Sequence, residues 1–159
     1  MDEAFLRQCL LLHRIPNLSD RQLCRLLLHY GGPAAVCDSN TRDWQALGLP
    51  RALAEAAAHI FKRDCSADAL LPLDEQIERL RRCSARIVPV SSPEYPLLLR
   101  SLHDPPPLLY LRGNSMLLSQ AQLAVVGSRR ASPAGLRADR QLSGQVARAG
   151  LAAIGAPVS

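Results

Sequence analysis

A glycine, a serine and two arginines lie together in one short segment whose residue types suit the binding of a phosphate. Gly127, Ser128, Arg129 and Arg130 come at the end of the apolar run 123–126. Glycine permits a sharp turn and a close approach of the backbone to a ligand. Serine offers a hydroxyl, and a guanidinium binds phosphate oxygens through paired hydrogen bonds. The segment predicts a phosphate site, and a strand–turn–helix unit that binds nothing is the alternative.

The residues around this segment indicate a strand before the turn and a helix after it. The apolar run has no alternation, which is typical of a strand buried on both faces. Ser132 followed by Pro133 indicates the start of a helix, which we predict over 133–149. A further strand is predicted over 151–154, so the whole forms a βαβ unit with a right-handed crossover. No G-x-G-x-x-G or Walker motif occurs, so neither dinucleotide binding nor Walker-type binding is indicated.

Positive charge is concentrated in the same part of the chain. Residues 1–104 hold 13 Arg/Lys and 13 Asp/Glu, whereas residues 105–159 hold six arginines and one aspartate, a balance of +5. This asymmetry indicates an anionic partner for the C-terminal part. Arg137, Arg140 and Arg148 share one face of the predicted helix at ~100° per residue. The alternative is that these arginines only solvate that face.

The composition is that of an ordinary globular protein, with 48% hydrophobic and 21% charged residues. Aromatic residues are scarce, so base stacking is not expected to dominate any contact with nucleic acid. The five cysteines are widely spaced and form no C-x-x-C, so no zinc site, disulfide framework or cofactor is indicated. No signal peptide and no apolar run of ~18 residues is found. We therefore expect a cytoplasmic protein without a membrane partner.

The N-terminal part predicts about five short helices, over 3–13, 20–30, from Pro33, 40–47 and 51–63. Ser19 and Gln22 form a capping box before the second helix. This arrangement is similar to a helix-hairpin-helix or SAM-like unit, in which a glycine turn offers N–H groups to a DNA phosphate. Because residues 1–104 carry no net charge, a packing or interaction module is the favoured alternative. A linker over 64–71, a helix over 74–82 and strands over 86–90 and 108–112 follow.

Four runs of residues resemble those of the DNA-processing protein A family (DprA, also called Smf). The family pattern is a Tyr-Pro, a leucine-rich stretch, an Asp-Pro-Pro, a Leu-Tyr strand that ends at glycine, and a Val-Gly-Ser-Arg turn. A further glycine, here Gly135, follows that turn. The order and spacing match over about residues 93–150, in the runs EYPLLL (94–99), LHDPP (102–106), LLYLRG (108–113) and AVVGSR (124–129).

The resemblance implies an extended Rossmann-like domain that binds single-stranded DNA without catalytic turnover. It implies a role in natural transformation, in which the protein protects incoming strands and helps to load the RecA recombinase. Carried over by position, Gly127 and Ser128 supply hydrogen-bond donors to DNA phosphates and Arg129 supplies a charged fork. Arg130 and Arg137 are added to these binding residues from the placement of charge alone.

The predicted fold is therefore α+β in two parts. Residues 1–66 form an all-α SAM-like or helix-hairpin-helix domain, and residues 67–159 form an incomplete Rossmann-like domain. Where the family continues with Ser-Gly-x-Ala-x-Gly-Ile-Asp, this chain ends in GAPVS (155–159). We expect a chain truncated within the Rossmann-like domain, without the surfaces for self-association and RecA docking. An uncovered sheet edge favours dimerisation, so a homodimer is a possible partner arrangement.

Two other functions are compatible with the same residues. A Rossmann-like enzyme that processes a nucleotide or its phosphoribose would use the same turn for a phosphate. Against it stands the absence of paired carboxylates near the turn, because Asp139 is alone and Asp104 lies in a proline turn. The other alternative is a helical protein-interaction module made of residues 1–63.

Overall fold

The computed structural model of the protein describes residues 2–63, 67–126 and 132–155. Two compact units are present, Met1–Gly113 and Asn114–Ser159. Both contain helices and strands, so the chain has the mixed α+β character that the sequence predicts. The domain boundary predicted between residues 66 and 67 falls inside the first unit, and the division into SAM-like and Rossmann-like domains stays a prediction. No helix in the described ranges is long and apolar enough to cross a membrane.

The first unit consists mainly of helices, with one pair of strands towards its end. In chain order the elements are α1 (Glu3–His13), α2 (Asp20–Tyr30), α3 (Pro33–Asp38), a 3-10 helix (Thr41–Gln45), α4 (Arg51–Arg63), α5 (Ala67–Arg82), β1 (Ala85–Pro89), α6 (Leu97–Arg100) and β2 (Leu108–Arg112). β1 and β2 pair antiparallel, with Ala85 opposite Arg112 and Pro89 opposite Leu108.

Helix α2 has the ends that its sequence predicts. The Ser19 N–H donates to Gln22 Oε1 at 3.0 Å, and the Gln22 N–H donates to Ser19 Oγ at 3.4 Å, which completes the predicted capping box. At the other end Gly31 adopts a left-handed conformation with φ 87° and donates its N–H to the Leu27 carbonyl. Local capping therefore sets both ends of this helix.

Helix α5 begins earlier than predicted. The sequence indicates a linker over 64–71 and a helix from 74, but α5 already starts at Ala67 and continues through Pro72. Leu73 and Ile77 are both buried in the core of the unit. Burial of this helix face provides stability that local propensity does not reveal. The prediction of a linker was therefore wrong for residues 67–71.

A single hydrophobic core fills the first unit. Trp44 is fully buried beside leucines from α1 and α2, and the strands contribute Ile87, Val88 and Leu108. Tyr95 belongs to the same core. The thiol of Cys24 donates to the Pro105 carbonyl at 3.1 Å. Contacts of this kind join the helices to the segment between the strands.

The second unit contains the predicted βαβ arrangement. A 3-10 helix (Ser115–Ser119) precedes β3 (Gln122–Val125), α7 (Pro133–Arg148) and β4 (Ala152–Gly155). β3 and β4 pair in parallel, with Gln122 opposite Ala152 and Val125 opposite Gly155. Helix α7 packs against both strands. The prediction of a strand–helix–strand unit is thus confirmed.

The burial predicted for the first of these strands is not observed. Leu123 is 42% exposed and Ala124 is also exposed. On α7 only Val146 is buried, and Leu142, on the helix face predicted to lie close on a sheet, is 48% exposed. The prediction that β3 is buried on both faces was wrong, because among the described residues little apolar surface covers this two-stranded sheet.

Candidate nucleic-acid interface

The predicted phosphate-binding turn connects β3 to α7. Gly127, Ser128, Arg129 and Arg130 lie outside the described residues, so the structure reports only what borders them. β3 ends at Val125 and Ser132 caps α7, with six residues between them. In a parallel βαβ unit this connection lies at the carboxyl ends of the strands, which is the edge where α/β proteins bind ligands.

The start of α7 leaves backbone donors at this edge. Ser132 Oγ accepts a hydrogen bond from the Gly135 N–H at 3.1 Å, and the Ser132 carbonyl accepts from the Leu136 N–H at 3.0 Å. Pro133 has no N–H, and the N–H of Ala134 has no acceptor within the helix. The positive end of the helix dipole lies here as well. Backbone and dipole therefore favour an anion next to the predicted turn.

The arginines of α7 form a basic face on this helix. Arg137, Arg140 and Arg148 are exposed, and none of them forms an ion pair within the described part of the chain. At ~100° per residue the three lie within about 80° of one another. Asp139 lies on another side of the helix, where Oδ1 accepts from Ser143 Oγ at 3.4 Å. These three guanidinium groups are available to an anionic ligand.

Of the binding residues predicted from the sequence, Arg137 is the one that the structure describes. Arg140 and Arg148 share its helix face, as the helical period already indicates. We name the set of Arg137, Arg140 and Arg148 the α7 basic face. Because phosphates of a nucleic-acid strand repeat at regular intervals, a row of cations along a helix suits such a strand better than it suits one isolated phosphate.

The turn at Gly48 in the first unit uses its backbone donors within the fold. The Gly48 N–H donates to the Gln45 carbonyl at 2.9 Å, and the Leu49 N–H donates to the Trp44 carbonyl at 3.1 Å. Arg25 Nη1 donates to the Leu47 carbonyl at 2.7 Å, which closes the turn from the other side. Because the N–H groups of the Gly48 turn are used within the fold, this turn agrees with the favoured alternative of a packing or interaction module.

The titratable groups of the first unit indicate structural roles. Burial raises the pKa of the Cys9 thiol to about 12 and that of the Cys24 thiol to about 11. A thiol that stays protonated is a poor nucleophile at neutral pH. Within the described ranges no three His, Cys, Asp or Glu side chains come together as they would around a metal ion.

Comparison with known proteins shows which family the C-terminal part of the chain resembles. Residues 86–155 match the family model described as DNA recombination-mediator protein A. The chain is 34% identical over 64 residues to the DNA processing protein DprA of Bacillus subtilis, covering 40% of this chain and 22% of that protein. It is 33% identical over 82 residues to the protein Smf of Borreliella burgdorferi, covering 52% of this chain and 26% of that protein.

The family-model match covers the motif-bearing segment and both β-strand pairs. The aligned part of this chain spans about a quarter of the length of each of the two relatives. The predicted resemblance to this family is confirmed by the family model and by both relatives. Over residues 86–155, the chain is similar to the DprA/Smf family of DNA recombination-mediator proteins.

Proposed function

We propose that this chain binds single-stranded DNA through the βαβ unit, without sequence preference and without catalytic turnover. The observation that carries the proposal is the α7 basic face, whose three exposed guanidinium groups have no acidic partner within the described ranges. Gly127, Ser128, Arg129 and Arg130 complete the site in this proposal. Gly127 and Ser128 donate hydrogen bonds to a phosphate, and the two arginines neutralise its charge.

The residue types at this site favour recognition of the phosphate backbone of DNA. Among the residues of the second unit that the structure describes, the cationic groups are arginines and no aromatic side chain is present to stack on a base. Phosphate contacts position a strand but carry no sequence information. Binding is therefore expected to depend strongly on salt and weakly on base composition.

The name of the Bacillus subtilis relative and the description of the family model support a role in DNA processing. We propose that the chain acts in natural transformation and recombination, where it protects single strands and helps to load a RecA-type recombinase in the cytoplasm. The matched segment is assigned a Rossmann-like architecture and the helical part a SAM-like one in this proposal. A second copy of the chain is a further proposed partner, because Met116 and Val126 in the second unit are 72% and 87% exposed.

Fluorescence anisotropy of a labelled oligo-dT strand tests this proposal. Engagement of about three phosphates predicts a log–log salt slope on the order of −2. A double-stranded competitor of equal length should compete less well, because its phosphates are held in a fixed geometry. A slope near zero would contradict phosphate binding. Release of a base or of inorganic phosphate from a nucleotide would instead support the enzyme alternative.

A further inference from the structure

A cleft in the first unit has the features of a second binding site. It lies between the 3-10 helix Thr41–Gln45 and helix α4 and encloses about 850 Å³. Cavities of a few hundred to about 1,000 Å³ are typical of small-molecule sites. The side chains that matter for its chemistry are Asn40, Arg42, Gln45, Arg51, Glu55 and Phe61.

Trp44 contacts two of the residues that line the cleft, Ser39 and Phe61. The buried indole donates from Nε1 to Ser39 Oγ at 2.9 Å, and Ser39 Oγ donates to the Val36 carbonyl at 2.7 Å. The Trp44 and Phe61 rings meet edge to face, with centroids 6.1 Å apart. Phe61 is partly exposed and lines the cleft. An aromatic ring in this position is a surface on which a planar base can pack.

The rim of the cleft is rich in hydrogen-bond donors. Asn40 Oδ1 accepts from the Arg42 N–H at 3.1 Å, so the Asn40 amide group keeps its own N–H donors. The Arg42 guanidinium has no hydrogen bond or ion pair to another described residue, and neither has the Gln45 amide. The N–H donors of these three side chains therefore line one cleft and form no hydrogen bonds to other described residues.

The charge of the cleft is positive although it contains a carboxylate. Arg51 Nε donates to Glu55 Oε1 at 2.7 Å, and this ion pair is exposed. A guanidinium has five N–H donors, so Arg51 keeps four after this bond. With Arg42 and Arg51 against Glu55 the side chains sum to one positive charge. Two guanidinium groups and two amides are a set that binds phosphate oxygens.

We propose that this cleft binds the phosphate ester of a nucleotide, with Arg42 and Arg51 on the phosphate and Phe61 against the base. The site is separate from the α7 basic face and uses none of its residues. A free mononucleotide and the phosphorylated end of a DNA strand present the same chemical group. Glu55 competes with the ligand for Arg51 and so limits the affinity.

The test uses the full chain carrying Arg129→Ala, Arg130→Ala and Arg137→Ala, so that binding at the βαβ unit contributes little. Titration with thymidine 5′-monophosphate, followed by calorimetry, is expected to show binding, whereas thymidine without phosphate is not. Arg42→Ala should weaken binding about tenfold, the loss expected for one charge-assisted hydrogen bond. Glu55→Gln should tighten it about fivefold, since it frees Arg51. Arg21→Ala, an exposed arginine of α2 away from the cleft, is the matched control and should change nothing.

Competition distinguishes the two sources of the phosphate. If a 5′-phosphorylated oligo-dT displaces the mononucleotide and its unphosphorylated form does not, the ligand is a strand end. If neither strand displaces it, the ligand is a free nucleotide, and both results support the site. Equal affinities of the parent, Arg42→Ala and Glu55→Gln chains, each folded by circular dichroism, would overturn the proposal. Absence of mononucleotide binding in the Arg129→Ala/Arg130→Ala/Arg137→Ala chain would overturn it too, and would leave the function proposed for the βαβ unit untouched.

Discussion

The Tyr95 hydroxyl donates a hydrogen bond to the Pro106 carbonyl at 2.7 Å, and Tyr95 is only 1% exposed. The two residues belong to the Tyr-Pro and Asp-Pro-Pro motifs that carry much of the family resemblance. Arg100 adds to this arrangement, with its guanidinium 5.7 Å from the centre of the Tyr95 ring and Nη2 donating to the Ser92 carbonyl at 2.6 Å. These motif residues therefore stabilise the segment between β1 and β2 and do not face a ligand.

Replacement of Tyr95 by phenylalanine should lower the free energy of unfolding by about 1–2 kcal/mol, because the half-buried Pro106 carbonyl loses its donor. Urea denaturation of the full chain measures the change. Tyr110→Phe is the matched control, since Tyr110 is 50% exposed, and its effect should stay within about 0.5 kcal/mol. Equal changes in the free energy of unfolding for the two substitutions would show that the Tyr95 hydrogen bond does not stabilise the fold.

Stability is expected to fall above pH 9 because of a buried thiol. Burial, and to a smaller extent the nearby Cys37, raises the pKa of Cys9 from 9.0 to about 12. Above pH 9 the unfolded chain releases this proton while the folded chain retains it. The free energy of unfolding then decreases with rising pH, by about 1.4 kcal/mol per pH unit for one such group, until the pH reaches the folded value.

Urea denaturation between pH 7 and pH 10.5 measures that slope. Cys9→Ala removes the titrating group and should give a clearly shallower decrease, to which Cys24 still contributes. A parent chain whose unfolding free energy is constant up to pH 10.5 would contradict the burial of both thiols.

Gly48→Ala is expected to destabilise the first unit. Gly48 has a φ of +78°, and an added Cβ would lie 3.4 Å from Arg25 Nη1, which holds the Leu47 carbonyl. A left-handed conformation costs an alanine about 1–2 kcal/mol. The thermal midpoint should therefore fall by several degrees. An unchanged midpoint would mean that the turn relaxes without cost.

Gly144→Ala is expected to have the opposite effect on α7. An added Cβ at Gly144 would meet no atom closer than Arg148 Nη1 at 4.0 Å. Alanine is more favourable than glycine in a helix interior by about 1 kcal/mol. Amide hydrogen exchange in α7 should slow by about fivefold, as this energy implies. Faster exchange in the variant would indicate that the glycine is needed by the backbone.

Local signals predicted those elements whose ends depend on neighbouring residues. The capping box at Ser19 located the start of α2, and the Ser132-Pro133 pair located the start of α7. The early start of α5 was missed because it depends on the burial of Leu73 and Ile77 by distant parts of the chain. The apolar run of β3 indicated burial, but a local pattern cannot show which element covers a sheet.

The candidate sites were predictable to different degrees. The helical period already grouped Arg140 and Arg148 with Arg137, so the α7 basic face needed no structure. The sequence could not predict that the Gly48 N–H is hydrogen-bonded within the fold. Its acceptor is the Gln45 carbonyl, whose position depends on the 3-10 helix. The cleft that contains Arg42 and Arg51 left no sequence signal either. Its residues converge only because Trp44 fixes the 3-10 helix against α4.

The most direct measurement is the affinity of the Arg129→Ala/Arg130→Ala/Arg137→Ala chain for a labelled oligo-dT strand. Its matched control is Arg21→Ala/Arg82→Ala/Arg112→Ala, which removes the same charge from exposed arginines of the first unit. If DNA binds at the βαβ unit, the first triple variant loses at least tenfold in affinity and the salt slope becomes shallower, because phosphate contacts are lost. The control retains both. Equal losses in the two variants would contradict the account, since they would show that net charge and not this site attracts the strand.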